Sequence, residues 1–458
     1  MRKNIYQINM TEGNLLPKIL MFSLPLMASS FLQLLFNAAD IIVVGKFAGS
    51  ESLAAVSSTG ALINLIVNLF IGLSVGTNVL VARYIGANQQ EEISKTVHTA
   101  MMLSIIGGLI LTVFGVLTAK PMLHMMDTPD DVIDLSALYL RIYFLGTIAN
   151  LIYNYGASIL RAKGDTKRPL YYLALAGVVN VILNLILVIV FHLDVAGVAI
   201  ATVTSQIISA VLMFICLMNE TDGMQLKINC LRVDGNKLVN ILKIGLPAGI
   251  QGSIFSLSNV MIQASINSFG SVVMAGNGAA SNIEGFVYSG MNTFYQSCLT
   301  FTGQNYGAKK FDRINKTLGV CIGLVILTGL ILGIGAWYFG ENLLAIYSND
   351  PAVISAGMVR LGYVSKLYFL CGIMDVLVGS LRGLGYSIIP MIVSLIGACG
   401  LRIVWLMTVF VMIPTVDIVY LSYPVSWIVT ALVHFMTYCI VFRKTKNKMK
   451  SEAKEKKP

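Results

Sequence analysis

The chain has 458 residues, 56% of them hydrophobic and only 12% charged, with a mean hydropathy of +0.78. So few polar side chains cannot cover the two or three water-soluble domains that this length would otherwise make, and the same numbers exclude collagen, coiled coil and disorder. What remains is a polytopic membrane protein, in which the net charge of +10 reads as a topology signal and not as a nucleic-acid surface.

Twelve apolar blocks follow one another, each near or above the roughly 20 residues that cross a bilayer as a helix. The first covers 15–44. It is too long for a signal-peptide core and no A-x-A site ends it, so it reads as a retained span. The next five cover 52–80, 96–119, 132–159, 168–191 and 195–218. A polar stretch separates them from six more, at 238–264, 272–300, 316–339, 353–380, 387–411 and 417–442. Blocks of this length predict helices, because barrel strands are about 10 residues long and alternate in polarity.

Of the 32 Lys and Arg, 26 fall on the side that holds both termini. Lys46 and Lys120 fall on the other side, and Arg141, Arg360, Lys366 and Arg402 lie within or at the edge of helices. This asymmetry puts both termini in the cytoplasm. Asp127, Asp130, Asp131 and Asp134 fit an outer loop after the third helix. The basic tail reads as a stop-transfer anchor, with anionic-lipid contact as a second reading.

The chain also repeats itself at an offset of 221 or 222 residues. Lys18–Pro25 reads against Asn240–Pro247, and Tyr84-Ile85-Gly86-Ala87 against Asn305-Tyr306-Gly307-Ala308. Gly108-Leu109-Ile110-Leu111 matches Gly329-Leu330-Ile331-Leu332, and Leu160-Arg161-Ala162-Lys163-Gly164 matches Leu381-Arg382-Gly383-Leu384-Gly385. Six spans per repeat is an even number, so the halves share one orientation and are expected to be related by a pseudo-two-fold axis along the membrane normal, with a cavity between them. The organisation predicted is an all-α membrane protein of 12 transmembrane helices. It comprises an N-terminal six-helix lobe (1–219), a cytoplasmic linker (220–237), a C-terminal six-helix lobe (238–442) and a basic cytoplasmic tail (443–458).

Pro25 and Asp40 of the first helix, the loop Ala82-Arg83-Tyr84-Ile85-Gly86-Ala87, its counterpart Gly303–Ala308, and the paired motifs at Leu160–Asp165 and Ser380–Gly385 together resemble the multidrug and toxic compound extrusion (MATE) family. That family belongs to a larger group that includes lipid-linked oligosaccharide flippases. The resemblance implies export of amphipathic, often cationic organic compounds, exchanged for protons or sodium by alternating access of the two lobes. The major facilitator alternative lacks its Gly-x-x-x-Asp-Arg-like loop after the second helix. The other reading left open is a flippase for a lipid-linked sugar, which predicts a cavity richer in Arg and Lys.

Charge inside a membrane is rare and costly, so each instance is a candidate site. Gln33, Asn37 and Asp40 are spaced i, i+4, i+7 and share one face of the first helix. A carboxylate kept from water there is neutralised by taking up a proton or another cation. Pro25 removes a backbone hydrogen bond in the same helix and is the candidate hinge. In the branch of the family that this chain resembles, a first-helix Asp, a fifth-helix Asn, an Asp one turn on and a sixth-helix Thr form a cation site. The matching positions here are Asp40, Asn180, Asn184 and Thr202. The second acid is thus Asn184, and the lost charge favours protons over sodium. Asn259, Glu284 and Asp375 join Gln33 and Asn37 as candidate cavity residues, and Asp375 is also placed to pair with Arg402.

Signals for other classes are missing from the sequence. It has no GxxxxGK[ST] phosphate loop, no HExxH and no acidic prenyl-transferase cluster, so neither ATP drive nor an intramembrane enzyme is expected. The seven cysteines are scattered without a CxxC pair and read as packing residues. No cofactor or metal is expected beyond the coupling ion. The expected partners are small organic substrates and the bilayer, with no nucleic acid, and the chain is expected to be a monomer in a bacterial-type plasma membrane.

Overall fold

An apolar chain in lipid has to satisfy its own backbone hydrogen bonds, and helices do so within one segment. The computed structural model describes residues 6–126 and 128–455, all helix and connection with no strand. Arg2, Lys3, Asp127, Lys456 and Lys457, which entered the charge reading, lie outside the described residues. The membrane helices are α1 (Leu15–Phe47), α2 (Gly49–Gly86), α3 (Gln90–Met125), α4 (Asp130–Leu145 and Thr147–Lys163), α5 (Lys167–Val190) and α6 (Asp194–Met218). They continue as α7 (Gly235–Asn267), α8 (Ser271–Gly307), α9 (Phe311–Tyr338), α10 (Pro351–Leu367 and Phe369–Gly383), α11 (Ile388–Met412) and α12 (Val416–Glu455). Among the described residues nine are straight, long and apolar enough to cross a bilayer, and the bent α4 and α10 make eleven. The twelfth, α8, has the length but is more polar, carrying Asn277, Asn282, Glu284, Asn292 and Gln296.

The bends of 46° in α4 and 42° in α10 fall at equivalent points of the repeat. In α4, Thr147 Oγ1 donates to the Phe144 carbonyl at 2.7 Å, a bond that competes with the helix's own ladder at the break. The motif Arg161–Asp165 is a helix stop and restart. Gly164 ends α4 with φ +98°, and a Cβ there would lie 2.5 Å from the Ile8 carbonyl oxygen. Asp165 Oδ1 then accepts from the Lys167 and Arg168 amides, each at 3.1 Å, and so caps α5.

The compact units cut the chain elsewhere than the repeat does. One contains Ala28–Ser253 and the other contains Asn9–Met27 together with the chain from Ile254 onward. Helices α1 and α7 therefore each give their first part to the unit that holds the other repeat. Pro25 lies next to the passage in α1, and Pro247 lies one to two turns before that in α7. In the first unit, α7 meets α2 backbone to backbone, and a Cβ on Gly72 would lie 2.3 Å from Gly249 Cα. The linker lies along α3 in the same unit, where the Lys227 and Asp234 amides donate to His98 Nε2 (3.1 Å) and Thr99 Oγ1 (3.0 Å). Glu220, buried, bridges Lys163 at 2.6 Å and Arg168 at 2.5 Å. In the second unit, Phe22 of α1 meets Phe301 of α8 edge-on at 5.7 Å. Arg313 gathers the carbonyls of Met10, Glu12 and Gly13 at 3.0, 2.7 and 2.7 Å.

Candidate functional site: a buried carboxylate in the first unit

Three helices of the first unit bring the predicted coupling residues together. Asp40 stands near the end of α1, beside a buried apolar cluster that includes Val43, Val44, Tyr139, Val198 and Ala199. Asn184 of α5 donates to Asp40 Oδ1, and Thr202 Oγ1 of α6 donates to Oδ2 at 3.4 Å. Asn180, one turn before Asn184, donates to Thr202 Oγ1 at 3.5 Å and accepts from Asn184 Nδ2 at 3.4 Å. Asn180 and Asn184 are 4% and 1% exposed, so this polar knot lies within the helices.

Two features set the chemistry. Among the described residues Asp40 has no basic partner, so its donors are neutral and its charge is uncompensated. In addition, Asn184 Oδ1 is buried and has no hydrogen-bond partner among the described residues. A buried acceptor left unmade is costly. A proton on the carboxyl group, or a hard cation among the oxygens of Asp40, Asn180, Asn184 and Thr202, would remove the bare charge. Among the described residues no group of three or more His, Cys, Asp or Glu is placed to hold a metal ion.

The remaining predicted residues are dispersed. Gln33 and Asn37 are exposed on α1, two turns and one turn before Asp40, and Asn259 is exposed on α7. Pro25 sits inside α1. Glu284 is buried in the second unit with Arg360, whose Nη2 donates to Oε2 at 2.7 Å and Nε to Oε1 at 3.2 Å. Arg360 Nη1 also reaches Asn277 Oδ1 at 2.5 Å, and that oxygen accepts from the Tyr420 hydroxyl at 3.2 Å. Asp375 accepts from the Tyr288 side chain. The pairing of Asp375 with Arg402 does not form among the described residues, because Arg402 Nε donates instead to Ser426 Oγ at 2.8 Å. The partnership of Arg360 was missed in the sequence, where it read as a helix-edge charge. The signal lay in its position inside an apolar block, as the eighth residue of 353–380.

Known proteins match this chain as a whole. The MatE family model matches residues 25–186 and again 247–408, which are the two halves of the repeat. The chain belongs to the MATE family. It is similar to a probable multidrug resistance protein, YoeA, of Bacillus subtilis (strain 168), with 26% identity over 433 residues that cover 93% of each chain. It is also similar to a protein named FAD transporter from Shewanella oneidensis, 25% identical over 73% of this chain and 75% of that one. A solved structure described as an outward-facing multidrug resistance MATE transporter shares its fold, with a TM-score of 0.90 and 21% identity, over 97% of this chain and 100% of that one. This MATE chain is thus a multi-pass membrane transport protein of twelve helices, and its relatives support a place among multidrug efflux transporters.

Proposed function

We propose that this MATE transporter exports amphipathic, often cationic organic compounds in exchange for H+ or Na+ bound at Asp40, through alternating access of its two lobes. The observation that carries the reading is the lone Asp40 carboxylate beside the unpartnered Asn184 oxygen. Binding an ion there neutralises a charge that the membrane interior penalises, so occupancy biases the conformation of α1, with Pro25 as its hinge. Gln33, Asn37, Asn259, Glu284 and Asp375 stand as residues of the substrate path. The basic tail and the loop charges support both termini in the cytoplasm, and the proposal places the chain in the plasma membrane as a monomer. The relative named FAD transporter supports a cargo range not confined to cations.

The driving force is quantifiable. Exchange of one proton for one monovalent cation moves no net charge, so a unit of pH gradient supplies about 1.4 kcal/mol, a tenfold cargo gradient. The test is uptake of a fluorescent cation into proteoliposomes under pH and sodium gradients imposed separately. Transport driven by one of the two supports antiport. Transport driven by neither refutes it and favours the flippase reading.

A further inference from the structure

The repeat allows the polar sites of the two units to be compared position by position. At an offset of 221 or 222, Asp40 corresponds to Ile262 and Thr202 to Tyr423, while Asn180 and Asn184 correspond to Leu401 and Trp405. The second unit therefore has no carboxylate where the first has its ion site. It has Arg402 instead, one residue after the counterpart of Asn180. Arg402 is 7% exposed. Its guanidinium carbon lies 4.3 Å from the centre of the Tyr423 ring and 5.6 Å from that of Trp427. Beyond the Nε bond to Ser426, its Nη groups meet no acceptor and no carboxylate among the described residues. The neighbouring charges are already engaged: Glu284 holds Arg360 and Asp375 accepts from Tyr288.

A second observation marks the same place. Helices α5 and α11 are repeat partners, and each opens into a π-helical turn beside its polar residues. These turns are Ile186–Val190, just after Asn184, and Leu395–Gly400, just before Arg402. Such turns are rare and concentrate at functional sites. Next to Arg402, Trp427 is stacked on Tyr368 with ring centres 5.1 Å apart, and Tyr368 is partly exposed. A membrane-buried guanidinium without an anion is costly, and the partly exposed Tyr368 ring offers an aromatic surface in the same cluster.

We propose that Arg402, with Tyr423, Trp427 and Tyr368, forms an anion site in the second unit that takes the carboxylate of a planar aromatic compound. The free guanidinium edge holds the carboxylate oxygens by charge-assisted bonds, and the ring lies against Tyr368. This rests on the export reading and deepens it, since it names the residues that would hold the carboxylate of an aromatic cargo. The two units then carry sites of opposite sign at related positions.

The test uses the full chain in lipid nanodiscs with two probes, naphthalene-2-carboxylate and its neutral carboxamide, and calorimetry reads their binding. Wild-type protein should prefer the carboxylate by about tenfold or more. Arg402→Gln should erase that preference, and Arg402→Lys should keep most of it. Wild-type protein that binds both probes alike overturns the proposal without any variant, and so does a folded Arg402→Gln protein with the preference intact. Ethidium export in proteoliposomes separates the two readings. Export without carboxylate preference removes only the anion site, whereas carboxylate preference without ion-driven export removes only the antiport reading.

Discussion

Arg360→Met is the sharpest perturbation of the second unit. The guanidinium makes three contacts with Glu284 at 2.7–3.2 Å and one with Asn277. Both charged residues are buried, Glu284 at 3% and Arg360 at 7% exposure. Removing the arginine leaves a bare carboxylate among α8, α10 and α12, and leaves Asn277 Oδ1 with the Tyr420 hydroxyl as its donor. Loss of one partner of a buried ion pair costs about 3–5 kcal/mol, which for a unit of this size lowers the melting temperature by about 6–20 °C. The double variant Arg360→Met with Glu284→Gln removes the stranded charge and should recover about half of that loss or more, because the pair's mutual attraction mainly offsets its own desolvation. The assay is thermal unfolding of detergent-purified protein followed by intrinsic fluorescence, with all four corners of the cycle measured. A single variant that melts with wild type, or a double variant that falls by the sum of its singles, would refute the reasoning.

Three further outcomes follow from the first unit. Glu220 is pushed up by burial, but Lys163 and Arg168 outweigh this and hold its carboxyl below the usual range. Its stabilisation is therefore complete above about pH 4.3 and is lost as the pH falls through the lower folded value. Glu220→Gln should lower the melting temperature at pH 7, and the gap to wild type should close on acidification; a gap independent of pH contradicts the assignment. Gly72→Ala places a Cβ against the Gly249 backbone, which cannot rotate away. It should cost about 1–3 kcal/mol in thermal unfolding, whereas an unchanged melting point would show that α2 and α7 do not touch there. Asn184→Asp puts a second acid beside Asp40 and should raise sodium affinity by about tenfold, read as a sodium-dependent thermal shift; no change would remove Asn184 from the ion site.

The helices were legible because lipid leaves one solution for an apolar block of helical length. The block at 15–44 became Leu15–Phe47, and that at 272–300 became Ser271–Gly307. Asn180, Asn184 and Thr202 lie on consecutive helices, but Asp40 lies four helices earlier, and only the resemblance to the family grouped it with them. The bends at Gly146 and Tyr368 were not legible, since side chains reaching across helices decide them, as Thr147 does with Thr112. Nor was the allotment of α1 and α7 to two units, because a hydrophobic block looks the same whichever neighbour it packs on. Arg360 was given no partner and Arg402 was matched to Asp375, because composition cannot show which carboxylate, if any, a buried guanidinium meets.

The central claim is that ion binding at Asp40 drives export. The direct measurement is Asp40→Asn in proteoliposomes, with fluorescent-cation export followed under a pH gradient and under a sodium gradient. The replacement keeps the size and one accepting oxygen but can never carry the charge. The prediction is normal folding and insertion with ion-driven export lost under both gradients. Export at the wild-type rate in the same vesicles would contradict it.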